Sequence, residues 1–227
     1  LLKINKHWSR LTMPEQSNES KFPILCRYSH KDNPVPAGWK FTLLHGHHGY
    51  NGYGVLTRQK DDFYPTPREA VEALIRAEKL PTDIWECACG DGSISEPLKT
   101  AGHNVISTDL NDWNYGTTGV DFLMELKPLA PAVVTNPPYK LANEFVIKCM
   151  DMKLPYFAML LRLAFLEGKQ RRAEIYDRQP PARVHVFSER LTMWRGDEEQ
   201  PEGSSGFIAF AWFIWEQGNT DTRLSWL

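Results

Sequence analysis

Beyond residue 60 the apolar positions fall into short runs of two kinds, and the two alternate along the chain. Val71, Leu74 and Ile75 recur at helical spacing, and Leu141, Phe145, Val146 and Cys149 do so again further on. Apolar runs of strand length lie between and after them, at 83–86, 104–109, 133–135, 156–161, 183–187 and 207–215. Strands that alternate with amphipathic helices predict an α/β domain built on a largely parallel sheet. The first helix carries start signals. Thr66 suits the N-cap, Pro67 the first helical position, and Glu69 can close a capping box onto Thr66, with the helix running to about Leu80. A second helix is expected through Leu98 to Ala101. The aromatic run ending at Trp212 and Trp215 reads as a buried strand rather than a stacking surface.

Residues 1–60 break this pattern and are read as an irregular N-terminal arm, with 61–227 as the folded domain. The arm contains Pro34, Pro36 and the run His45-Gly46-His47-His48-Gly49-Tyr50-Asn51-Gly52-Tyr53-Gly54, and its Lys and Arg residues outnumber Glu15, Glu19 and Asp32. Such a segment either touches a nucleic-acid backbone and stacks bases or merely covers the domain. Its close histidines are separated by glycines and lack a completing Cys or carboxylate, so no metal site is expected. The chain opens on Leu1, and its first dozen residues, read as upstream translation or a fragment, are assigned no function. A second polar, Gly- and Ser-rich stretch, 196–206, is a candidate loop over substrate.

Composition narrows the class. With 227 residues, 42% hydrophobic and 24% charged, the chain can bury one sizeable core. A net charge of -2 argues against wholesale electrostatic binding of nucleic acid and leaves room for a local basic face. No apolar run reaches membrane-spanning length, and residues 1–30 lack a signal-peptide pattern. Cys26, Cys87, Cys89 and Cys149 form no disulfide framework and are read as free thiols, which places the protein in a reducing cytoplasm.

Chemistry-bearing residues collect where the expected strands end. Val133-Val134-Thr135 runs into Asn136-Pro137-Pro138-Tyr139, in which two prolines stop any ladder and hold an amide, a carbonyl and a ring at the strand tip. Ligands sit at such tips in α/β sheets. The strand at 83–86 leads into Cys87-Ala88-Cys89-Gly90-Asp91-Gly92, where glycines allow close backbone approach. Glu86 at its end would repel a pyrophosphate and suit a cationic or hydroxyl-rich ligand. Asp109 closes the next strand, where a ribose-binding carboxylate belongs. Asp121-Phe122 pairs an acid with a ring, a set able to hold a purine amino group and stack on its ring.

Thr66-Pro67, Glu86-x-Ala88-x-Gly90-x-Gly92, Asp109, Asp121-Phe122 and Asn136-Pro137-Pro138-Tyr139 follow one another as in S-adenosylmethionine-dependent amino-methyltransferases. Over roughly 62–215 the chain most resembles the DNA N6-adenine methyltransferases, small phage-borne members included. The resemblance implies a Rossmann-like class I methyltransferase domain, a seven-stranded, mostly parallel sheet with an antiparallel last strand and helices on both faces. It also implies an S-adenosyl-L-methionine cradle. Tyr64 and Thr66 would lie near the methionine carboxylate, and Glu86, Ala88, Gly90 and Gly92 would line the pocket. Asp109 would hold the ribose, Asp121 and Phe122 the cofactor adenine. Asn136, Pro137, Pro138 and Tyr139 would be catalytic, with Asn136 also near the cofactor and Tyr139 stacking on an adenine flipped from duplex DNA.

Three alternatives stay open: glutamine N5-methylation in a protein, base N-methylation of ribosomal RNA, and a catalytically silent nucleic-acid-binding protein. Enzymes of the first kind carry an amphipathic N-terminal helical domain, a periodicity residues 1–60 lack. Many relatives carry a large recognition domain after the last strand, which this sequence does not show. Arg162, at the tip of the 156–161 strand, is expected either to contact phosphate or to pair with an acid. Lys169, Arg171 and Arg172 read as a solvated helix face.

Overall fold

The computed structural model describes residues 63–193 and 208–227. The N-terminal arm and the 196–206 loop lie outside the described residues. Chain order is α1 (Arg68–Ala77), β1 (Asp83–Glu86), α2 (Ser95–Thr100), β2 (Asn104–Ser107), β3 (Ala132–Thr135), α3 (Ala142–Asp151), β4 (Tyr156–Arg162), α4 (Lys169–Arg171), β5 (Arg183–Val186), β6 (Phe210–Glu216) and β7 (Arg223–Trp226). A π turn, Arg172–Tyr176, continues α4, and single 3₁₀ turns cover Phe122–Met124, Tyr139–Leu141 and Leu163–Leu166.

The strands form one seven-stranded sheet in the order β2-β1-β3-β4-β6-β5-β7. β1 pairs in parallel with β2 and β3, and β3 with β4. β6 is antiparallel to both β4 and β5, and β7 runs parallel to β5. The fold class is the expected one, a seven-stranded, mostly parallel sheet. The antiparallel strand, however, is the sixth in sequence, and a strand absent from the apolar pattern follows it. β7 is an edge strand in which Arg223, Leu224 and Trp226 are exposed, so it buries no hydrophobic face that would have marked it.

Strand periodicity sorts the core into two layers. Ile84, Ala132, Val134, Ala158, Leu160, Trp212 and Ile214 pack with Ala70, Val71 and Leu74 of α1, Leu98 of α2 and Ile94 just before it. Trp85, Val133, Phe157, Met159, Phe213 and Trp215 face the other way and meet Phe145, Val146 and Cys149 of α3. The aromatic run of β6 is thus divided between the two sides of the sheet. Each buried indole has an acceptor: Trp212 Nε1 donates to the Ala70 carbonyl (2.8 Å), Trp215 Nε1 to Gln179 O (3.1 Å) and Trp85 Nε1 to Thr108 Oγ1 (2.8 Å).

α1 departs from its start signals. Pro67, not Thr66, is the N-cap, no side chain caps the helix, and it ends at Ala77 rather than Leu80. The Thr66 hydroxyl is turned away from α1 to accept from Asn136 Nδ2. At the far end, Glu78 leaves the helix in an extended conformation to join Arg183, His185 and Tyr156.

Candidate active site

β1 lies between β2 and β3, so successive connections leave it in opposite directions and open a crevice at the carboxyl ends of these strands. The turn after β1 enters this crevice through two glycines with left-handed backbones, Gly90 (φ +52°) and Gly92 (φ +87°). A Cβ at Gly90 would lie 2.3 Å from the Phe63 ring, and one at Gly92 2.6 Å from Tyr115. Both positions therefore need glycine for backbone conformation and for space.

Three carboxylates surround the turn. Asp109, buried just beyond β2, accepts the Gly90 N–H at Oδ2 (2.9 Å) and the Asn111 N–H at Oδ1 (2.8 Å), so two backbone amides set its orientation. Asp121 caps the 3₁₀ turn by accepting the Leu123 N–H (3.0 Å). Glu86 is 1% exposed, and its Oε2 accepts from the Ser95 hydroxyl, itself 2.6 Å from Ser107 Oγ. Burial pushes the Glu86 carboxyl well above the usual carboxylate range; hydrogen bonds from Ser95 oppose this, while Asp91 and Asp109 add to it. The Phe122 ring is 2% exposed and packs against Trp85 (5.1 Å) and Phe145 (4.8 Å). It is a core ring that also borders the crevice.

The third strand supplies the acceptor. β3 is buried along its whole length and delivers Asn136 at its tip. Asn136 Nδ2 donates to the Tyr64 carbonyl (3.3 Å) and to Thr66 Oγ1 (3.0 Å). A carbonyl can only accept, which orients the amide nitrogen toward Tyr64 and the oxygen away from it. Asn136 Oδ1 is buried and finds no hydrogen-bond partner among the described residues. The Tyr139 ring lies 5.8 Å from those of Tyr64 and Phe210, and the Arg162 guanidinium sits over it at 4.7 Å.

These elements enclose a cleft of about 440 Å³. Tyr64, Thr66, Glu86, Ala88, Gly90, Asp109, Asp121, Phe122, Asn136, Pro137 and Pro138 all line it, whereas Gly92 and Tyr139 do not. Phe63 and Trp113, whose rings stack at 4.1 Å, also line it, as do Leu110 and Lys140. Sequence reasoning missed the Phe63–Trp113 pair because the partners are fifty residues apart and Trp113 lies in a polar, non-periodic segment. Cys87 and Cys89 border the cleft as well, and burial raises both thiols, Cys89 to about 12. Among the described residues there is no cluster of three or more His, Cys, Asp or Glu side chains able to hold a metal.

The basic residues beyond β4 divide in role. Arg162 pairs with no carboxylate among the described residues, and its Nε is buried without an acceptor. Arg171 is no solvated side chain: it donates to Asn143 Oδ1 (2.9 Å) and to the carbonyls of Ala164, Phe165 and Glu167, and it covers the Phe165 ring. It ties down the turn after β4. Arg172 makes an exposed pair with Asp177 (3.5 Å), and Lys169 is exposed.

No protein-family model and no curated protein matches the sequence. Solved structures do resemble it. The methyltransferase subunit of a type I restriction-modification system from Streptococcus thermophilus superimposes with a TM-score of 0.53 at 14% identity, over 72% of this chain and 47% of that one. The chain thus spans about half the length of that subunit. A dimethyladenosine transferase from Plasmodium falciparum (TM-score 0.49, 12% identity, 68% of this chain and 63% of that one) and a magnesium protoporphyrin IX methyltransferase from Synechocystis (0.45, 15%, 65% and 76%) are more distant. The fold is the Rossmann-like α/β fold of class I methyltransferases.

Proposed function

We propose that this protein is an S-adenosyl-L-methionine-dependent methyltransferase acting on an exocyclic amino group, N6 of adenine in DNA. The observation that carries the reading is Asn136 Oδ1, a buried acceptor left without a partner among the described residues while the rest of its amide is fixed. A buried acceptor so oriented is stable only if another donor comes to it. An amine bound beside it is such a donor. That the first of the similar structures belongs to a restriction-modification system agrees with a DNA substrate.

The cleft fits the cofactor. Its volume suits a nucleoside carrying an amino-acid chain. Asp109 would hold the ribose hydroxyls, Asp121 and Phe122 the adenine, and Thr66, Glu86, Ala88 and Gly90 the methionine portion. Bound there, the cofactor supplies an electrophilic methyl group on a sulfonium.

The chain's own residues make the amine a nucleophile. An exocyclic base amine is weak because its lone pair is delocalised into the ring. Asn136 Oδ1 and the Pro137 carbonyl accept its two protons and draw the lone pair back onto nitrogen. The prolines keep the second acceptor rigid, so little reorganisation is needed as charge develops. So held, the nitrogen would present its lone pair to the methyl group that the bound cofactor would supply. The alkylated amine is acidic enough to release a proton to water without a strong base.

The test is incubation of the full chain with methyl-labelled cofactor and separate DNA, RNA and protein pools, followed by nucleoside and amino-acid analysis. Label in N6-methyladenine of DNA is the expected result. Label found solely in glutamine or in RNA moves the substrate assignment, and no transfer to any pool removes the enzymatic reading.

A further inference from the structure

Tyr139 presents a problem that the catalytic reading does not solve. It follows directly on the catalytic turn, where an extruded base has to be held, yet it lies outside the lining of the cleft and its ring is already occupied. Among the described residues three groups bound it: the Tyr64 ring, the Phe210 ring and the guanidinium of Arg162. A base can stack on Tyr139 only if one of them gives way.

Two of the three are the more constrained. Phe210 is 3% exposed and lies within β6, in register with Arg162 of β4. Tyr64 lines the cleft, and its backbone is held where its carbonyl accepts from Asn136 Nδ2, so its ring can shift only by turning about its own side-chain bonds. Arg162 is different. It ends β4, the strand next to β3, so it stands at the same edge of the sheet as Asn136. Its head group has one described partner, the Tyr139 ring, and its Nε is buried with no acceptor. A long side chain held by a single stacking contact, with a donor unsatisfied, is the group of the three that leaves most readily. It is also shaped for the position, since a guanidinium is planar and stacks on aromatic faces much as a nucleobase does.

Resting on the nucleobase reading above, we infer that Arg162 stands in for the target base on Tyr139. When a base is extruded onto that ring, Arg162 turns away and engages a phosphate of the strand that carries it. The free protein thereby keeps the stacking surface covered, and the buried Nε finds its acceptor in the complex. Base capture and phosphate contact become one coupled event, so Arg162 acts as a positioning residue for substrate. It takes no part in methyl transfer.

The coupling separates this role from an ordinary phosphate contact. Take a DNA duplex that the wild-type protein methylates, and a copy with an abasic site in place of the target adenine. Removing Arg162, as Arg162→Met or Arg162→Gln, should weaken binding of the intact duplex about tenfold and lower its log–log salt slope by about one. Binding of the abasic duplex should be unchanged, because nothing displaces the guanidinium there. In the wild type alone the intact duplex should show the steeper slope, a comparison that needs no variant. Both variants should keep their melting temperature and cofactor affinity. Equal losses on the two duplexes, no loss on either, or equal wild-type slopes would overturn the inference while leaving DNA methylation standing. A wild-type protein that methylates no polynucleotide would remove the proposed function, and this inference with it.

Discussion

Among the described residues, Asn136 is bound at its amide nitrogen and has no partner at its buried oxygen. Asn136→Ala removes the acceptor while leaving β3 and both prolines intact. Turnover should fall on the order of a hundredfold or more, the usual cost of losing one oriented catalytic hydrogen bond. Cofactor affinity should change little, because the proposed cradle lies mainly at the ends of β1 and β2. Single-turnover methylation beside calorimetry checks both, and near-normal turnover in a folded variant would defeat the mechanism. Glu86 gives a second test. Its folded-state carboxyl titrates above the unfolded one, so the stability it contributes is present below the unfolded pKa and is lost as pH rises through the folded value. Glu86→Gln stays neutral and should keep its melting temperature toward alkaline pH better than the wild type does. A cationic cofactor favours the ionised form, so wild-type affinity should rise with pH, while that of Glu86→Gln should be weaker and flat. Parallel pH profiles for the two proteins would remove Glu86 from the cofactor's charge balance.

At the scale of elements, the turn after β1 sets how tightly backbone meets ring. Gly90→Ala must hold a side chain at φ +52° and place its Cβ against Phe63. The expected cost is about 1–3 kcal/mol from the backbone alone. Adding Phe63→Ala should recover the steric part but not the backbone part, which denaturant titration of the single and double variants would resolve. The same scale shows what was legible in the sequence. Strands buried on both faces announced themselves as apolar runs, and α1 and α3 by their stripes. Glu86, Asp109 and Asn136, which line the cleft, could be placed at strand ends because each lies at or just beyond the end of such a run. Thr66 misled because capping is a local rule, whereas its hydroxyl answers to Asn136, seventy residues away. β7 was invisible because its pairing with β5 is carried by backbone groups rather than by an apolar face.

Across the whole molecule, one polar network ties the end of α1 to the far half of the sheet. Glu78 accepts from Arg183 (2.6 and 2.9 Å) and lies 2.6 Å from His185 Nε2, while Arg183 also pairs with Glu216 (2.6 Å) and His185 contacts Ser225 of β7. Burial alone would raise the Glu78 carboxyl, but the bonds from His185 and Arg183 outweigh it and hold the group below its ordinary value. Its stabilisation is therefore present above the unfolded carboxylate pKa and lost as pH falls through the folded one. Glu78→Gln should cost about 1–3 kcal/mol near neutrality, with the deficit shrinking in acid. Melting curves across that range check it, and a deficit independent of pH would show that packing, not charge, holds this corner.

The buried thiols make the fold report on its own breathing. Cys87 and Cys89 sit in the turn beside the cleft, and Cys87 also shares a core layer with Cys149 of α3. All three are shielded, and their raised pKa leaves almost no thiolate at neutral pH. An alkylating reagent can reach them only while the surrounding structure is transiently open, so each labelling rate measures the opening that exposes that thiol. Residue-resolved alkylation would then compare the cleft edge at Cys89 with the core layer at Cys149 in one sample. A ligand seated in the cleft should protect Cys87 and Cys89 more than Cys149, locating its binding without any assay of turnover.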